Sequence, residues 1–232
     1  DPLHPERAGG SDEVTDPRLA AVTVRMLLQH TAGLPNWASG PLRFEGAPGT
    51  RWASSGEGYV LLQRAVEAVM QRPLDEVMLD LVFNPIGMTR SSYRWTAAIG
   101  QHLLPGTKAN GVPREVVLLQ QPVAAFSLYT TVDDYARFLI ALLRNPDLLA
   151  MITDSPVDVD TRRGLSWGLG WGLERSADGL HLWQWGNNPG YRAFVLAAPG
   201  SGDGLVLLTN SDAGLKLVEP LVSAVRPGEH KV

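Results

Sequence analysis

With no cysteine in 232 residues, disulfides, thiolate metal sites and a cysteine nucleophile are ruled out, and serine hydroxyls come first among the groups to weigh for covalent catalysis. Ser54 and Ser55, within Trp52-Ala53-Ser54-Ser55-Gly56-Glu57, are the most suggestive pair. A nucleophile elbow would read Gly-x-Ser-x-Gly, but Ala53 and Glu57 stand on either side of Ser55. The five histidines (His4, His30, His102, His181 and His230) show no metal-ligand spacing, so no metal site is expected. His30 is expected to make a structural hydrogen bond at a helix end. Asp133 and Asp134 are adjacent acids, but their place just after Thr131 predicts helix capping. Trp37, Trp95, Trp167, Trp171 and Trp185 could line an apolar acyl or aromatic pocket, Trp37 and Trp185 foremost, although most tryptophans serve cores.

The elements that would position these residues follow from periodicity and punctuation. Thr23 is a good N-cap for a helix through Arg25–His30, with Gly33 and Pro35 as stop signals. Pro48-Gly49-Thr50 is a turn. A longer helix is predicted over about Glu57 to Gln71, with Val60, Leu61, Ala65, Ala68 and Val69 as its apolar stripe and Gln63, Arg64 and Glu67 opposite. Another should span Leu74 to Phe83, ended by Asn84-Pro85 and the tight Ile86-Gly87. Residues 95–123, rich in Gly and Pro, read as an irregular excursion, and Thr131 caps a strong helix through Leu143. From Gly164 the period shortens. Leu180–Gln184, Tyr191–Leu196 and Leu205–Thr209 read as antiparallel strands joined by turns, followed by a closing helix over about Leu215 to Val225. Helices in a block followed by a meander predict an α+β fold. The expected organisation is a linker-like segment over 1–20, a mostly helical lobe over 21–160, and antiparallel strands with a closing helix over 161–232.

Composition narrows the classes of function. The chain is 44% hydrophobic and 19% charged, with a net charge of −4 and no basic run, which argues against a nucleic-acid partner. No apolar stretch approaches membrane-spanning length. The opening Asp1-Pro2-Leu3-His4-Pro5 shows neither an initiating Met nor a signal-peptide core, and it reads as a linker in mid-protein. The compartment stays open.

Several segments together resemble the β-lactamase-related serine hydrolases, which include class C β-lactamases, DD-peptidases of the penicillin-binding-protein type and esterase relatives. The carriers are Val24-Arg25-Met26-Leu27-Leu28-Gln29-His30-Thr31-Ala32-Gly33-Leu34-Pro35, Pro48-Gly49-Thr50-Arg51-Trp52 leading into Gly58-Tyr59-Val60-Leu61-Leu62, and Asn84-Pro85-Ile86-Gly87-Met88. Leu128-Tyr129-Thr130-Thr131 with Asp133, and Trp185-Gly186-Asn187-Asn188-Pro189-Gly190-Tyr191, complete the set. The resemblance implies a β-lactamase/transpeptidase-like fold, an antiparallel sheet flanked by helices plus a mostly helical lobe. It also implies acyl-enzyme hydrolysis of a small ester, amide or peptide, without cofactor.

The resemblance implies three catalytic elements. The first is Ser-x-x-Lys, in which the lysine helps deprotonate the attacking serine. Lys108, Lys216 and Lys231 are the only lysines, and Pro105, Ala213 and Gly228 lie three places before them, so the motif does not occur in this chain. In the family it precedes the segment matching Val24–Pro35. The expectation is therefore a chain lacking the N-terminal strands and nucleophile helix, inactive alone, that self-associates or holds a separate N-terminal fragment. The second element, Tyr-x-Asn, aligns on Ser54-Ser55-Gly56. Ser54 replaces the proton-shuttling tyrosine, through either a designed change or a lineage that has lost activity, and Gly56 takes the asparagine position. The third, Lys-Thr-Gly or His-x-Gly, aligns on Gln184-Trp185-Gly186, with Asn187 supplying an oxyanion-hole N–H. Ser54, Gln184 and Asn187 are thus the candidate catalytic positions, and Gly56, Gly186, Trp185 and Trp37 the candidate substrate-binding ones. The alternative is a non-catalytic ligand-binding or interaction module of the same descent.

Overall fold

The structure, a computed structural model, describes residues 16–226, 230 and 231. Helix α1 (Val24–Leu28) begins where Thr23 accepts a hydrogen bond from the Met26 N–H. It stops two residues short of the expected His30, because His30 adopts a left-handed backbone with φ 56°. Gly33 (φ 76°) turns the chain again, and its carbonyl accepts from the Glu45 N–H at 2.8 Å. Helix α2 (Gly56–Met70) is capped by Ser55, whose hydroxyl accepts from the Gly58 N–H.

The apolar stripe expected on α2 is only partly right. Leu61 and Leu62 pack on the cluster of Leu27, Ala32, Leu34 and Phe44, but Val69 is exposed and Gln63 is buried. Gln63 is an anchor: its amide donates to the Pro122 carbonyl and accepts from the Ala124 N–H, fixing the end of the 95–123 excursion.

Helix α3 (Leu74–Met78) runs through a π-turn (Leu79–Phe83) into α4 (Asn84–Ile86), so Asn84-Pro85 does not end it. Pro85 falls in the first turn of the new α segment, where no N–H is required, and the stop comes at Gly87 with φ 74°. Helix α5 (Ala97–Gly100) is a single turn within the excursion. Thr131 caps α6 (Val132–Leu143) as expected. Asp134, assigned to capping, instead accepts from the Arg90 N–H at 2.7 Å and the Ser91 hydroxyl at 2.8 Å, tying α6 to the segment after α4. Helix α7 (Pro146–Thr153) closes the helical series.

Six strands follow: β1 (Val157–Asp160), β2 (Leu165–Trp167), β3 (Gly172–Ser176), β4 (Gly179–Asn188), β5 (Tyr191–Ala198) and β6 (Asp203–Thr209). They form one antiparallel sheet in sequence order. The three predicted strands are the centres of β4, β5 and β6. Strands β1–β3 escape the sequence pattern because two of them have only three or four residues and they are separated by Gly- and Arg-rich turns. The closing helix is split into a 3-10 turn (Gly214–Leu217) and α8 (Val218–Val225).

Apolar residues alternate across the sheet and bury both faces. Leu173, Leu182, Val195 and Ala197 meet Leu139, Leu142 and Ile152 from α6 and α7. Trp167, Trp183, Phe194 and Leu196 meet Val222 from α8. This is the α+β arrangement expected. Among the described residues no helix is long and apolar enough to cross a membrane.

The turn at Gly33 is a sharp constraint. A Cβ there would lie 2.5 Å from the Gly46 carbonyl oxygen on a backbone of positive φ. Gly33→Ala is expected to destabilise the protein by about 2–3 kcal/mol, read as a lower urea midpoint at unchanged slope.

Candidate active site

The turn that carries Ser54 is built from its neighbours. Ser55 is buried, and its hydroxyl donates to the Pro35 carbonyl at 2.8 Å while capping α2. The Ser55 N–H donates to His30 Nδ1 at 3.0 Å, and the Ala53 N–H donates to the His30 carbonyl at 2.9 Å. The Gly56 N–H donates to Asn36 Oδ1, and Glu57 reaches back to accept from the Ala38 N–H. Ser54 itself is exposed, and its side chain has no hydrogen-bond partner among the described residues. The exposed hydroxyl belongs to Ser54, and Ser55 is spent on structure.

His30 is the joint of this turn. Its ring lies among Trp52, Tyr59 and Trp167, with ring centroids 5.0–6.1 Å away. Burial lowers its pKa to about 4, so the ring is neutral and Nδ1 is free to accept. The structural role expected of His30 is the one observed.

The third motif lies on β4. Strand β3 begins at Gly172, which pairs with Trp183, so Gln184–Asn188 extends past the end of β3 with one backbone edge unpaired. Two hydrogen bonds show which N–H groups face that edge. The Trp185 N–H turns away from β5 to its own Gln184 Oε1 at 3.2 Å. The Arg192 carbonyl, opposite Asn187, accepts instead from Thr209 on β6. Groups two residues apart point the same way along a strand, so the Asn187 N–H also faces the open edge. Gln184, Gly186 and Asn188 bond to β5.

Side chains alternate correspondingly. Gln184, Gly186 and Asn188 share a face with Leu182, towards the helices. Gln184 Nε2 donates to the Gly170 carbonyl at 2.8 Å, and the Gly170 N–H donates to Leu28 at the end of α1. Asn188 Nδ2 donates to the Phe126 carbonyl at 3.0 Å. Pro189 and Gly190 (φ 83°) then close the hairpin in a type II pattern.

The remaining candidates separate into floor, rim and core. Trp37 packs edge-on against Phe126 and covers Gly56, where a Cβ would come within 2.4 Å of the indole. Trp37 therefore occupies the space that a larger residue at position 56 would need. It links the Ser54 turn, through Phe126 and Asn188, to β4. Trp185 is 50% exposed on the opposite face of the strand. Trp95 lines an open groove of about 550 Å³ with Leu103, Val116 and Leu118. Trp167 and Trp171 are buried core residues. The histidines are less scattered than their spacing suggested, since His181 and His230 come together with Glu174, one ligand atom of each lying within 4.8 Å of the others.

An antiparallel sheet with helices on both faces, an unpaired strand edge and a hydroxyl-bearing turn at a helix start are features that a β-lactamase/transpeptidase-like fold would have. The chain matches the Beta-lactamase family over residues 5–224 and belongs to that family. No curated protein sequence matches it. Among solved structures it is similar to a D-stereospecific amidohydrolase from Streptomyces sp., with a TM-score of 0.78, 17% identity, and 99% of this chain and 79% of that chain covered. It is likewise similar to a beta-lactamase/D-alanine carboxypeptidase from Pseudomonas syringae (TM-score 0.77, 15% identity, 98% and 80% covered). A third is a D-amino acid amidase from Ochrobactrum anthropi SV3, in complex with D-phenylalanine (TM-score 0.71, 20% identity, 90% and 80% covered).

The buried neutral His30 makes stability depend on pH. The unfolded chain takes up this proton near the ordinary imidazole value of about 6.5, the folded chain only near 4. Stability is therefore complete above about pH 6.5 and falls by roughly 3 kcal/mol as the pH drops towards 4. Asparagine tolerates the left-handed backbone and can accept the same N–H. In His30→Asn, denaturant titrations between pH 7 and 4 should show this component of the pH dependence removed.

Proposed function

We infer that this chain forms the substrate-cleft scaffold of a serine acyl-transfer hydrolase acting on an amide or peptide bond, with esters as accessible substrates. The observation that carries this reading is the unpaired edge of β4. There the Asn187 N–H points out of the sheet with no strand partner, as an oxyanion donor must. Gly186 beside it has no side chain to crowd an approaching carbonyl. The preference for amides rests on the fold shared with proteins named as amidases and a carboxypeptidase.

In this reading the nucleophile and its lysine are supplied by a Ser-x-x-Lys segment outside these 232 residues. Ser54 stands where a proton shuttle would act. A serine hydroxyl is a weak base and shorter than a phenol, so proton transfer is the step this chain serves worst. Gln184 can hydrogen-bond but cannot supply positive charge, and its amide is already held by Gly170.

The double departure at Ser54 and Gln184 supports a second reading, a non-catalytic module that binds ligands in the same cleft. One experiment separates the two, using a protein extended by the preceding coding sequence and assayed on p-nitrophenyl esters and amino-acid amides. Catalysis predicts turnover that Ser54→Tyr raises by about 10²-fold. It also predicts that Asn187→Pro, which removes an N–H that pairs with no strand and fixes φ at an edge where proline is tolerated, lowers kcat by about 10²–10³-fold, with Asn187→Ala close to wild type and both variants matching the wild type in melting temperature. Absence of Ser-x-x-Lys from the preceding sequence, or no turnover with Tyr restored, would replace catalysis by the binding reading.

A further inference from the structure

At the other end of β4 a second constellation stands apart from the cleft. Glu174 on β3 and His181 on β4 are direct cross-strand partners, which places their side chains side by side on one face. His181 precedes Gln184 by three residues, about 10 Å along the strand. His230, from the segment after α8, completes the group. The three side chains are deeply buried: 1% exposed for Glu174, 0% for His181 and 7% for His230.

The hydrogen bonding of His230 calls for a cation. Its Nδ1 lies 3.0 Å from Glu174 Oε2 and its Nε2 lies 3.2 Å from the Arg226 carbonyl oxygen. A neutral imidazole has one N–H for these two acceptors. If Nε2–H serves the carbonyl, the lone pairs of Nδ1 and Oε2 confront each other unless a proton or a metal ion lies between them. An Nε2–H donated to a backbone carbonyl, with Nδ1 left to bind, is the usual support of a metal-bound histidine. The other carboxylate oxygen, Oε1, is occupied by the Lys231 N–H at 2.5 Å, which orients Glu174 to ligate through Oε2. The His230–Glu174 spacing is close to the roughly 3.3 Å between ligands that tetrahedral bonds of about 2.0–2.1 Å impose.

We propose that Glu174, His181 and His230 bind a divalent transition-metal ion of the zinc type, fastening the C-terminal segment to the β3–β4 hairpin. Two imidazoles and a carboxylate are a ligand set suited to zinc, and one position remains for water. Arg226 is the competing charge, its guanidinium 3.3 Å from His181 Nε2. It is also held by Asp178 at 2.9 Å and Asp203 at 3.2 Å, so it keeps two carboxylate partners when it yields His181 to the ion. The sequence could not announce this site, because its members lie seven and 49 residues apart and meet only through strand pairing and the course of the chain after α8.

The test uses the intact chain after EDTA treatment and dialysis. Calorimetric titration with zinc chloride should show one ion per chain. At a free zinc concentration a hundredfold above Kd, the melting temperature should rise by about 5–10 °C, with no response to magnesium chloride. Cobalt(II) should give the intense visible bands of a tetrahedral site. His230→Gln changes a residue outside the helices and strands and is expected to fold, with affinity reduced at least about tenfold; Glu174→Gln provides a second variant. No zinc binding by the wild-type chain would overturn the proposal. So would equal binding by His230→Gln, or a cluster that responds only to protons, with melting temperature rising as the pH falls and indifferent to zinc.

Discussion

The contact on which the Ser54 turn and its neighbours depend is the hydrogen bond from the Ser55 N–H to His30 Nδ1. It requires a neutral ring, which burial among Trp52, Tyr59 and Trp167 enforces, and a left-handed backbone at residue 30, which aims the ring at the turn. Through it the end of α1 sets the start of α2. With Ser55 committed to the cap of α2 and to Pro35, Ser54 is left on the outside of the turn. A mixed polar and aromatic joint of this kind is stiff, because Ser55 Oγ is held by both Pro35 and Gly58 and the flat rings leave the joint little room to move.

The same joint governs the sheet. Trp167 touches His30 on one side and Trp183 on the other, and its indole N–H donates to the Leu28 carbonyl. The Trp167–Trp171 turn therefore lies against α1, and β3 begins only at Gly172. A Cβ at Gly172 would fall within 2.2 Å of the Trp183 ring. That late start is what leaves Gln184–Asn188 without a neighbour on one edge. An unpaired strand edge is ordinarily a liability; here it leaves the Asn187 N–H without a strand partner, as the proposed oxyanion role requires.

Much of this was legible in the residues. Thr23, Ser55 and Thr131 mark helix starts by a rule that depends only on local hydrogen bonding, and Gly33, Gly87 and Gly190 mark turns because positive φ selects glycine. The centres of β4–β6 were visible as apolar runs between turn residues. What escaped was set by partners far along the chain. Gln63 reads as a surface residue and is buried because the 122–124 backbone needs its amide. Asp134 reads as a cap and serves Arg90 and Ser91. Pro85 reads as a stop and is carried through by the preceding π-turn. Of the site, the positions of Ser54, Gln184 and Asn187 followed from the family resemblance, whereas the direction of the Asn187 N–H could come only from the strand register.

Amide hydrogen exchange resolved residue by residue along β4 reads that direction. Exchange should be slow at Gln184, Gly186 and Asn188, whose N–H groups bond to β5, and fast at Asn187. Trp185 should be intermediate, since only the Gln184 side chain holds it. Protection of Asn187 equal to that of Gly186 would contradict that direction, because the N–H would then lie inside the sheet and could not meet a substrate.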